Sequence, residues 1–291
     1  MNRARILVTG ANGQLGSELR ELSEKVDDFE FTFVDVDEMD FTREDAIRGF
    51  LEGKSFDFIV NTAAFTQVDE AESKEDLAFA INARAVSVLC DVCRQSGSRL
   101  IHISTDYVFD GQGCTPLRET DTPNPQSVYG RSKLEGERIV LGQLPDAYVI
   151  RTSWLYSSFG KNFVKTISRL ASERDSLNVV SDQVGSPTYA RDLALAVIQV
   201  MRAVHQGRVD VPGIYHYANE GVASWYDLAC AVVRIKAYHC VIQPIRTDEY
   251  PVAARRPAYS VLDKRKIRTT FDIEIPNWYD ALMRCLGKPF M

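Results

Sequence analysis

The sequence predicts an α/β fold, with a doubly wound parallel sheet of the Rossmann type and a smaller C-terminal α/β lobe. Short apolar runs alternate with segments of helical spacing over the first half of the chain, which is typical of a parallel sheet covered by helices. A glycine-rich turn follows the first run, and the alternation loosens after residue 155. We therefore expect a dinucleotide-binding domain at 1–155 and a mainly substrate-binding lobe at 156–291, some of whose segments return to the first domain.

The individual elements follow from the apolar pattern. Buried-type strands are predicted at 5–8, 29–34, 56–60, 100–103 and 147–151, and the longest intervening helix at 74–95. Beyond residue 155 the spacing predicts helices at 163–171, 190–204, 224–235 and 278–286, and strands at 177–180 and 214–217. Residues 114–127 contain three prolines and few apolar side chains, so we expect a surface loop that borders a substrate site.

Composition excludes several classes of protein. The 291 residues are 45% hydrophobic and 25% charged, as in a folded globular chain, and the net charge of -6 with no long basic run argues against nucleic-acid binding. Glycines interrupt the first apolar run too early for a signal peptide, and no apolar stretch is long enough to span a membrane. We therefore expect a cytoplasmic protein with reduced cysteines, in which Cys90 and Cys93 are buried structural thiols.

The glycine turn is the first candidate site. Gly10, Gly13 and Gly16 lie between a predicted strand and a predicted helix, where glycines permit a tight turn, backbone approach to a dinucleotide pyrophosphate and close helix packing. Asp35 ends the second strand, where a carboxylate accepts hydrogen bonds from an adenosine ribose. A helix cap or solvated loop acid is the alternative role of Asp35, and the choice between NADH and NADPH stays open.

A candidate proton-transfer pair lies in the second half of the first domain. Tyr129 and Lys133 are four residues apart, so on a helix both side chains reach the same ligand. A nearby ammonium is expected to lower the pKa of the phenol, which is otherwise near 10. By itself the pair is also compatible with an ordinary amphipathic helix, so its meaning depends on its surroundings.

Four motifs in the same order resemble the extended short-chain dehydrogenase/reductase superfamily: 9–16, 61–64, 104–106 and 129–133. Further segments resemble, within it, the dTDP-4-dehydrorhamnose reductase family: 63–72, 104–111, 151–156, 181–188 and 256–262. The resemblance implies a catalytic set of Thr105, Tyr129 and Lys133 with NADPH or NADH as cofactor. It also implies that the dTDP-sugar substrate contacts Thr105, Asp106, Trp154 and Arg256.

The resemblance also implies a set of cofactor-binding residues, two of which are the catalytic Tyr129 and Lys133. The others are Gly10, Asn12, Gly13, Gln14, Leu15, Gly16, Asp35, Asp40, Phe41, Ala63, Ala64 and Phe65. Some relatives form homodimers bridged by Mg²⁺. A homodimer is therefore possible here, whereas no acidic cluster in the sequence indicates a metal.

The implied reaction is NAD(P)H-dependent reduction of the C4 ketone of dTDP-4-dehydro-6-deoxy-L-mannose to dTDP-L-rhamnose, in nucleotide-sugar and cell-surface polysaccharide biosynthesis. Tyr107 follows Asp106 where a related 4,6-dehydratase has a glutamate, which argues against dehydration. Two alternatives remain. One is a non-catalytic regulatory subunit similar to the methionine adenosyltransferase beta subunit, and the other is a 4-keto nucleotide-sugar reductase with another stereochemical outcome.

Overall fold

The computed structural model describes residues 3–287 as a central parallel sheet between helical layers, with a smaller lobe packed beside its carboxyl edge. The strands are β1 (Ala4–Thr9), β2 (Phe29–Val34), β3 (Phe58–Asn61), β4 (Arg99–Thr105), β5 (Tyr148–Thr152), β6 (Leu155–Tyr156), β7 (Ser176–Val180), β8 (Val184–Gly185), β9 (Thr188–Tyr189), β10 (Gly213–His216), β11 (Ala223–Ser224) and β12 (Val241–Ile245). The helices are α1 (Gln14–Ser23), α2 (Glu44–Leu51), α3 (Val68–Ala71), α4 (Glu75–Phe79), α5 (Ala85–Ser96), α6 (Val128–Gln143), α7 (Phe163–Glu173), α8 (Ala190–His205), α9 (Trp225–Ile235), α10 (Arg265–Phe271) and α11 (Trp278–Leu286).

The six-stranded sheet has the order β10-β5-β4-β3-β1-β2, and all its strand pairs are parallel. Strand order reverses direction at β1, so the chain winds outward on both sides of it. Such a reversal opens a crevice at the carboxyl ends of the central strands, where ligands bind in open α/β sheets. The predicted doubly wound α/β fold is therefore confirmed.

Alternate residues of β1 enter two separate cores. Ile6 and Val8 pack with one cluster, which includes residues of α1 and α8, whereas Leu7 packs with the other, which includes residues of α2 and α5. A strand buried on both faces reads as a continuous apolar run because neither face meets water. This explains why the sequence of β1 shows no polar alternation.

The helix predicted at 74–95 is interrupted. A π-helical turn, Ala80–Arg84, separates α4 from α5. Within it, the carbonyl oxygen of Asn82 lies 2.2 Å from the position that a Cβ atom of Gly136 would take. The wide turn thus fits closely against α6, and the spacing of apolar residues alone does not reveal it because the helix continues on the same axis.

Part of the second half of the chain lies with the first domain. Strand β10 extends the central sheet beside β5, and α8 packs on α1. The smaller lobe has its own core, built by residues of α7, α9 and α11 and of the parallel pair β7 and β12. The lobe therefore faces the carboxyl edge of the sheet while being tied to it by the returning segments.

Two remaining predictions concern the state of the cysteines and the absence of a helix that could span a membrane. Cys90 and Cys93 are buried in the core on one face of the sheet, and burial raises the pKa of the Cys90 thiol to about 12, as expected of structural thiols. Cys90, Cys93, Cys114, Cys230 and Cys240 are free. Across residues 3–287, every helix falls short of the length and apolarity needed to cross a bilayer.

Candidate active site

A cleft of about 1140 Å³ lies at the carboxyl ends of the central strands, between the sheet and the smaller lobe. It collects most of the predicted site residues, although they come from distant parts of the chain. Those that line it are Gly10, Gly13, Gln14, Leu15, Asp35, Asp40, Phe41, Ala63, Ala64, Thr105, Asp106, Tyr129, Lys133, Trp154 and Arg256. The loop at 114–127, expected to border the site, contributes no residue to this lining.

The glycine turn has the close contacts that its sequence predicts. Gly10 has φ +65°, and a Cβ atom there would lie 2.7 Å from the backbone of Ala63. A Cβ atom on Gly16 would lie 2.5 Å from the carbonyl oxygen of Gly10. Helix α1 begins after Gly13 without a side-chain cap, so its first N–H groups face the cleft. This cradle fits the pyrophosphate of a nicotinamide dinucleotide.

Asp35 and Asp40 lie at the end of the cleft near β2. The Oδ2 atom of Asp35 accepts a hydrogen bond from the backbone N–H of Asn12 at 2.7 Å, and Oδ1 accepts from the N–H of Val36 at 2.8 Å. Asp40 accepts from the hydroxyl of Thr42, and this hydrogen bond lowers the pKa of Asp40. Asp35 therefore fixes the glycine turn against β2 and still lines the cleft.

Three predicted cofactor residues do not line the cleft. Asn12 is exposed beside the turn, and Gly16 lies underneath it in α1. Phe65 packs in a hydrophobic cluster with Tyr129, and its backbone N–H donates to the side chain of Asn82 at 2.8 Å. Gly16 and Phe65 thus lie behind the wall of the cleft, with the side chain of Phe65 directed into the protein. Asn12 lies outside the cleft.

Tyr129 stands at the start of α6. The hydroxyl of Ser127 caps this helix by accepting from the N–H of Gly130, and the Tyr129 ring packs edge-on against Tyr107 at 5.5 Å between centroids. Gly130 has no room for a side chain, because a Cβ atom would lie 2.3 Å from the Tyr107 carbonyl oxygen. The phenol is thus held in one place between the helix and the end of β4.

The expected lowering of the phenol pKa is not found. Burial raises the pKa of Tyr129 to about 12, against the opposing effect of a hydrogen bond with Thr105. Lys133 is also buried and donates a hydrogen bond to the carbonyl oxygen of Ile103 at 2.7 Å. Burial lowers the pKa of Lys133 to about 8, and the negative charge of Glu137 opposes this shift. At neutral pH the site therefore presents a neutral phenol beside an ammonium group.

Thr105 and Asp106 follow directly from β4. The Thr105 hydroxyl accepts from the N–H of Tyr107 at 3.2 Å and donates to Oδ1 of Asp106 at 3.0 Å. Burial raises the pKa of Asp106 to about 6, while hydrogen bonds with Ser260 and Thr105 work against the shift. The second oxygen, Oδ2, is buried and has no hydrogen-bond partner among residues 3–287.

Trp154 lies on the lobe side of the cleft in a left-handed backbone conformation, with φ +48°. Its indole stacks on Trp225 with ring centroids 3.6 Å apart and an angle of 6° between the planes. Both indoles line the cleft, and Trp225 also contacts Phe163. The stack offers a flat apolar wall to a sugar or base.

Two groups of residues at the site were not predicted from the sequence. Trp225 was read only as part of a helix, because nothing near it in sequence points to the cleft. Glu137 lies one turn beyond Lys133 and forms a fully buried ion pair with Arg151, whose Nε donates to Oε1 at 2.9 Å. The sequence places a carboxylate four residues after Lys133 and an arginine inside an apolar strand. The buried ion pair accounts for both charged residues.

Metal binding has no support in the described part of the chain, residues 3–287, which contains no group of three or more His, Cys, Asp or Glu side chains suited to hold an ion. At the end of β4, beside the glycine cradle, the cleft brings together the phenol of Tyr129, the ammonium of Lys133, the hydroxyl of Thr105 and the carboxylate of Asp106.

Comparisons with known proteins show which family the chain resembles over nearly its full length. The family model described as RmlD substrate binding domain matches residues 4–289. A dTDP-4-dehydrorhamnose reductase of Aggregatibacter actinomycetemcomitans is 41% identical over 285 residues, covering 96% of this chain and 97% of the relative. The crystal structure of a dTDP-4-dehydrorhamnose reductase from Clostridium acetobutylicum is similar with a TM-score of 0.91 and 40% identity, covering 97% of this chain and 98% of the other.

A third similar protein was solved with a cofactor. The dTDP-4-dehydrorhamnose reductase of Bacillus anthracis, crystallised in complex with NADP, has a TM-score of 0.92 and 34% identity. The match covers 98% of this chain and 99% of that protein. The likeness thus extends over both the sheet and the smaller lobe.

Proposed function

Since this chain belongs to the dTDP-4-dehydrorhamnose reductase family, we propose that it reduces the C4 ketone of dTDP-4-dehydro-6-deoxy-L-mannose to give dTDP-L-rhamnose. The product serves nucleotide-sugar and cell-surface polysaccharide biosynthesis. The protein is an NAD(P)H-dependent oxidoreductase, and NADPH and NADH both remain candidate cofactors. The observation that carries the proposal is the meeting of Thr105, Tyr129 and Lys133 in one cleft with the glycine cradle.

A nicotinamide dinucleotide held by the cradle supplies the hydride that reduces the ketone. Tyr129 donates its proton to the oxygen at C4, acting as general acid. The raised pKa suits this role, because the phenol is protonated at neutral pH when the substrate arrives. Thr105 donates a hydrogen bond to the same oxygen when its single hydroxyl hydrogen turns away from Asp106, to which it donates in the structure.

Lys133 supports the proton donor from behind. Its hydrogen bond to Ile103 uses one of three N–H groups of the ammonium, and the other two remain for hydroxyl groups of the cofactor ribose. The charge also stabilises the phenolate that forms when Tyr129 gives up its proton. Lys133 thus holds a ligand in place and assists recovery of the acid.

The substrate half of the cleft contains the Trp154–Trp225 stack and the unpaired Oδ2 atom of Asp106. An aromatic wall suits the apolar face of a deoxy sugar or of thymine, and a buried carboxylate oxygen suits a sugar hydroxyl. The stack and the carboxylate therefore favour a nucleotide sugar as substrate.

Two other functions are distinguishable by assay. A regulatory subunit needs the nucleotide site but no proton donor, and the grouping of Thr105, Tyr129 and Lys133 favours an enzyme. A reductase of other stereochemistry uses the same residues and differs only in how the sugar is seated.

The test is to supply dTDP-4-dehydro-6-deoxy-L-mannose with NADPH and, separately, with NADH. We expect nicotinamide absorbance at 340 nm to fall in at least one of the two reactions, and NMR of the product to identify dTDP-L-rhamnose. Cofactor binding without oxidation would contradict the enzyme and support the regulatory subunit. Oxidation that gives the C4 epimer would support the second reductase.

A further inference from the structure

Arg256 was predicted to contact the substrate, but in the structure it is held by a carboxylate of the first domain. Its Nη2 donates to Oδ2 of Asp69 at 2.6 Å and its Nη1 to Oδ1 at 3.2 Å, so the guanidinium and carboxylate are joined by two parallel hydrogen bonds. The two residues are 187 positions apart in sequence. The hydrogen bonds of this pair lower the pKa of the Asp69 carboxyl and so keep it ionised.

Asp69 also binds the backbone near Arg256. Its Oδ1 accepts from the N–H of Ala254 at 3.1 Å. One carboxylate at the start of α3 therefore fixes two points of the chain that runs through residues 247–256, which we name the rim segment. A carboxylate that accepts hydrogen bonds from both a side chain and a backbone N–H orders the segment more strongly than an ion pair alone.

The other end of the rim segment is fixed in the smaller lobe. Thr247 donates from its hydroxyl to Oδ1 of Asp182 at 2.6 Å, and its backbone N–H lies 3.0 Å from both carboxylate oxygens. Between the two anchors, Tyr250 and Val252 line the cleft while remaining 55% and 36% exposed. Exposed apolar side chains on the wall of a ligand cleft are suited to be covered by the ligand.

We propose that Asp69 and Arg256 are positioning residues that hold the rim segment as the outer wall of the substrate half of the cleft, where Tyr250 and Val252 contact the bound nucleotide sugar. This inference rests on the proposed function for the identity of the ligand. In this arrangement Arg256 acts through the rim segment. A diphosphate that bound Arg256 directly would compete with the two hydrogen bonds to Asp69.

The test compares Asp69→Asn, Arg256→Gln and the double variant. We expect each single change to raise the KM for the nucleotide sugar by about tenfold, because the loss of a coupled pair of this kind is worth on that order. The double variant should resemble either single variant, since both changes remove the same link. The Kd for NADPH, measured by its fluorescence, should stay unchanged because the hydrogen bonds of Asp69 and Arg256 join them to each other and to Ala254 rather than to the glycine cradle.

A second measurement does not depend on the substrate. Amide hydrogen exchange in residues 250–256 should be faster in Asp69→Asn than in the unchanged protein. Arg169→Gln is the matched control, because Arg169 forms an exposed ion pair with Glu173 within α7 of the same lobe and its loss should alter neither KM nor exchange at the rim segment.

A rise in KM for Arg256→Gln with an unchanged KM for Asp69→Asn would overturn the proposal and make Arg256 a direct ligand of the diphosphate. Additive effects in the double variant, or unchanged exchange at the rim segment, would also overturn it. Lack of turnover by the unchanged protein would refute the proposed function, whereas the exchange experiment would still report on the link between Asp69 and Arg256.

Discussion

Lys133 donates a hydrogen bond to the carbonyl oxygen of Ile103 at 2.7 Å, joining the helix that carries the proton donor to the strand that carries Thr105. Lys133 is buried and Ile103 is half-buried, so the bond is partly shielded from competing water. This hydrogen bond holds α6 against β4, and it therefore fixes the position of Tyr129 relative to Thr105 before any ligand binds. The relative positions of the proposed catalytic residues are therefore a property of the folded protein.

Removing the phenolic hydroxyl tests the general acid. Tyr129→Phe should lower kcat by about a hundred- to ten-thousandfold, the usual worth of general acid catalysis, with little change in the Kd for the cofactor. Stopped-flow turnover and fluorescence titration measure the two quantities. Near-normal turnover in this variant would remove Tyr129 from the mechanism.

Asp106 makes stability depend on pH. Its pKa is about 6 in the folded protein against 3.8 ordinarily, so the folded state binds more protons between these values and stability falls as pH rises through that window. Asp106→Asn has no such titration. We expect the variant to exceed the unchanged protein in free energy of unfolding by about 1 kcal/mol at pH 4.5 and about 3 kcal/mol at pH 7.

Urea denaturation at the two pH values measures this difference. An advantage that does not grow with pH would contradict the raised pKa. The same variant should lose activity, because the amide NH2 group that replaces Oδ2 donates hydrogen bonds and cannot accept one from a substrate hydroxyl. A gain in stability together with a loss of turnover would show that the buried charge of Asp106 acts on the substrate and does not stabilise the fold.

The buried pair of Glu137 and Arg151 supports the site from within the sheet. Glu137→Gln leaves a buried guanidinium without its counter-charge, so the free energy of unfolding should fall by about 3–5 kcal/mol. Glu173→Gln is the control, because its ion pair with Arg169 is exposed and contributes at most about 1 kcal/mol. Chemical denaturation measures both.

A double variant separates loss of charge balance from loss of packing. Glu137→Gln combined with Arg151→Met removes both charges, and it should be more stable than Glu137→Gln alone. A double variant as unstable as the single one would mean that the shape of the pair, rather than its charge, stabilises the fold.

A substitution at Gly185 tests whether the position of the Trp154 indole matters for the nucleotide sugar. A Cβ atom there would lie 2.6 Å from Cε2 of Trp154, so Gly185→Ala must displace the indole. We expect kcat/KM for the nucleotide sugar to fall by about ten- to a hundredfold, as small misplacements of ligand-positioning groups do. Gly142→Ala is the control, because nothing lies within 4 Å of its added methyl group, and it should leave kcat/KM unchanged.

The fold and half of the site were readable from local sequence. Helix α11 was predicted with its observed bounds, Trp278–Leu286, and the predicted strands at 29–34 and 147–151 agree with β2 and β5 to within one residue. The glycine turn and the Tyr129–Lys133 pair are also local, because each depends on spacing within one strand-turn-helix unit or one helix. Such local patterns can be recognised in the sequence without knowledge of the tertiary structure.

Only the tertiary structure decided the rest. It paired Arg256 with Asp69, stacked Trp154 on Trp225, and placed Phe65 behind the cleft rather than in it. It also reversed the expected pKa shift of Tyr129, since the cost of burying a charged phenolate outweighs the opposing effect of the hydrogen bond with Thr105. Burial and contacts between distant residues arise when the chain packs, and neither leaves a periodic signal in the sequence.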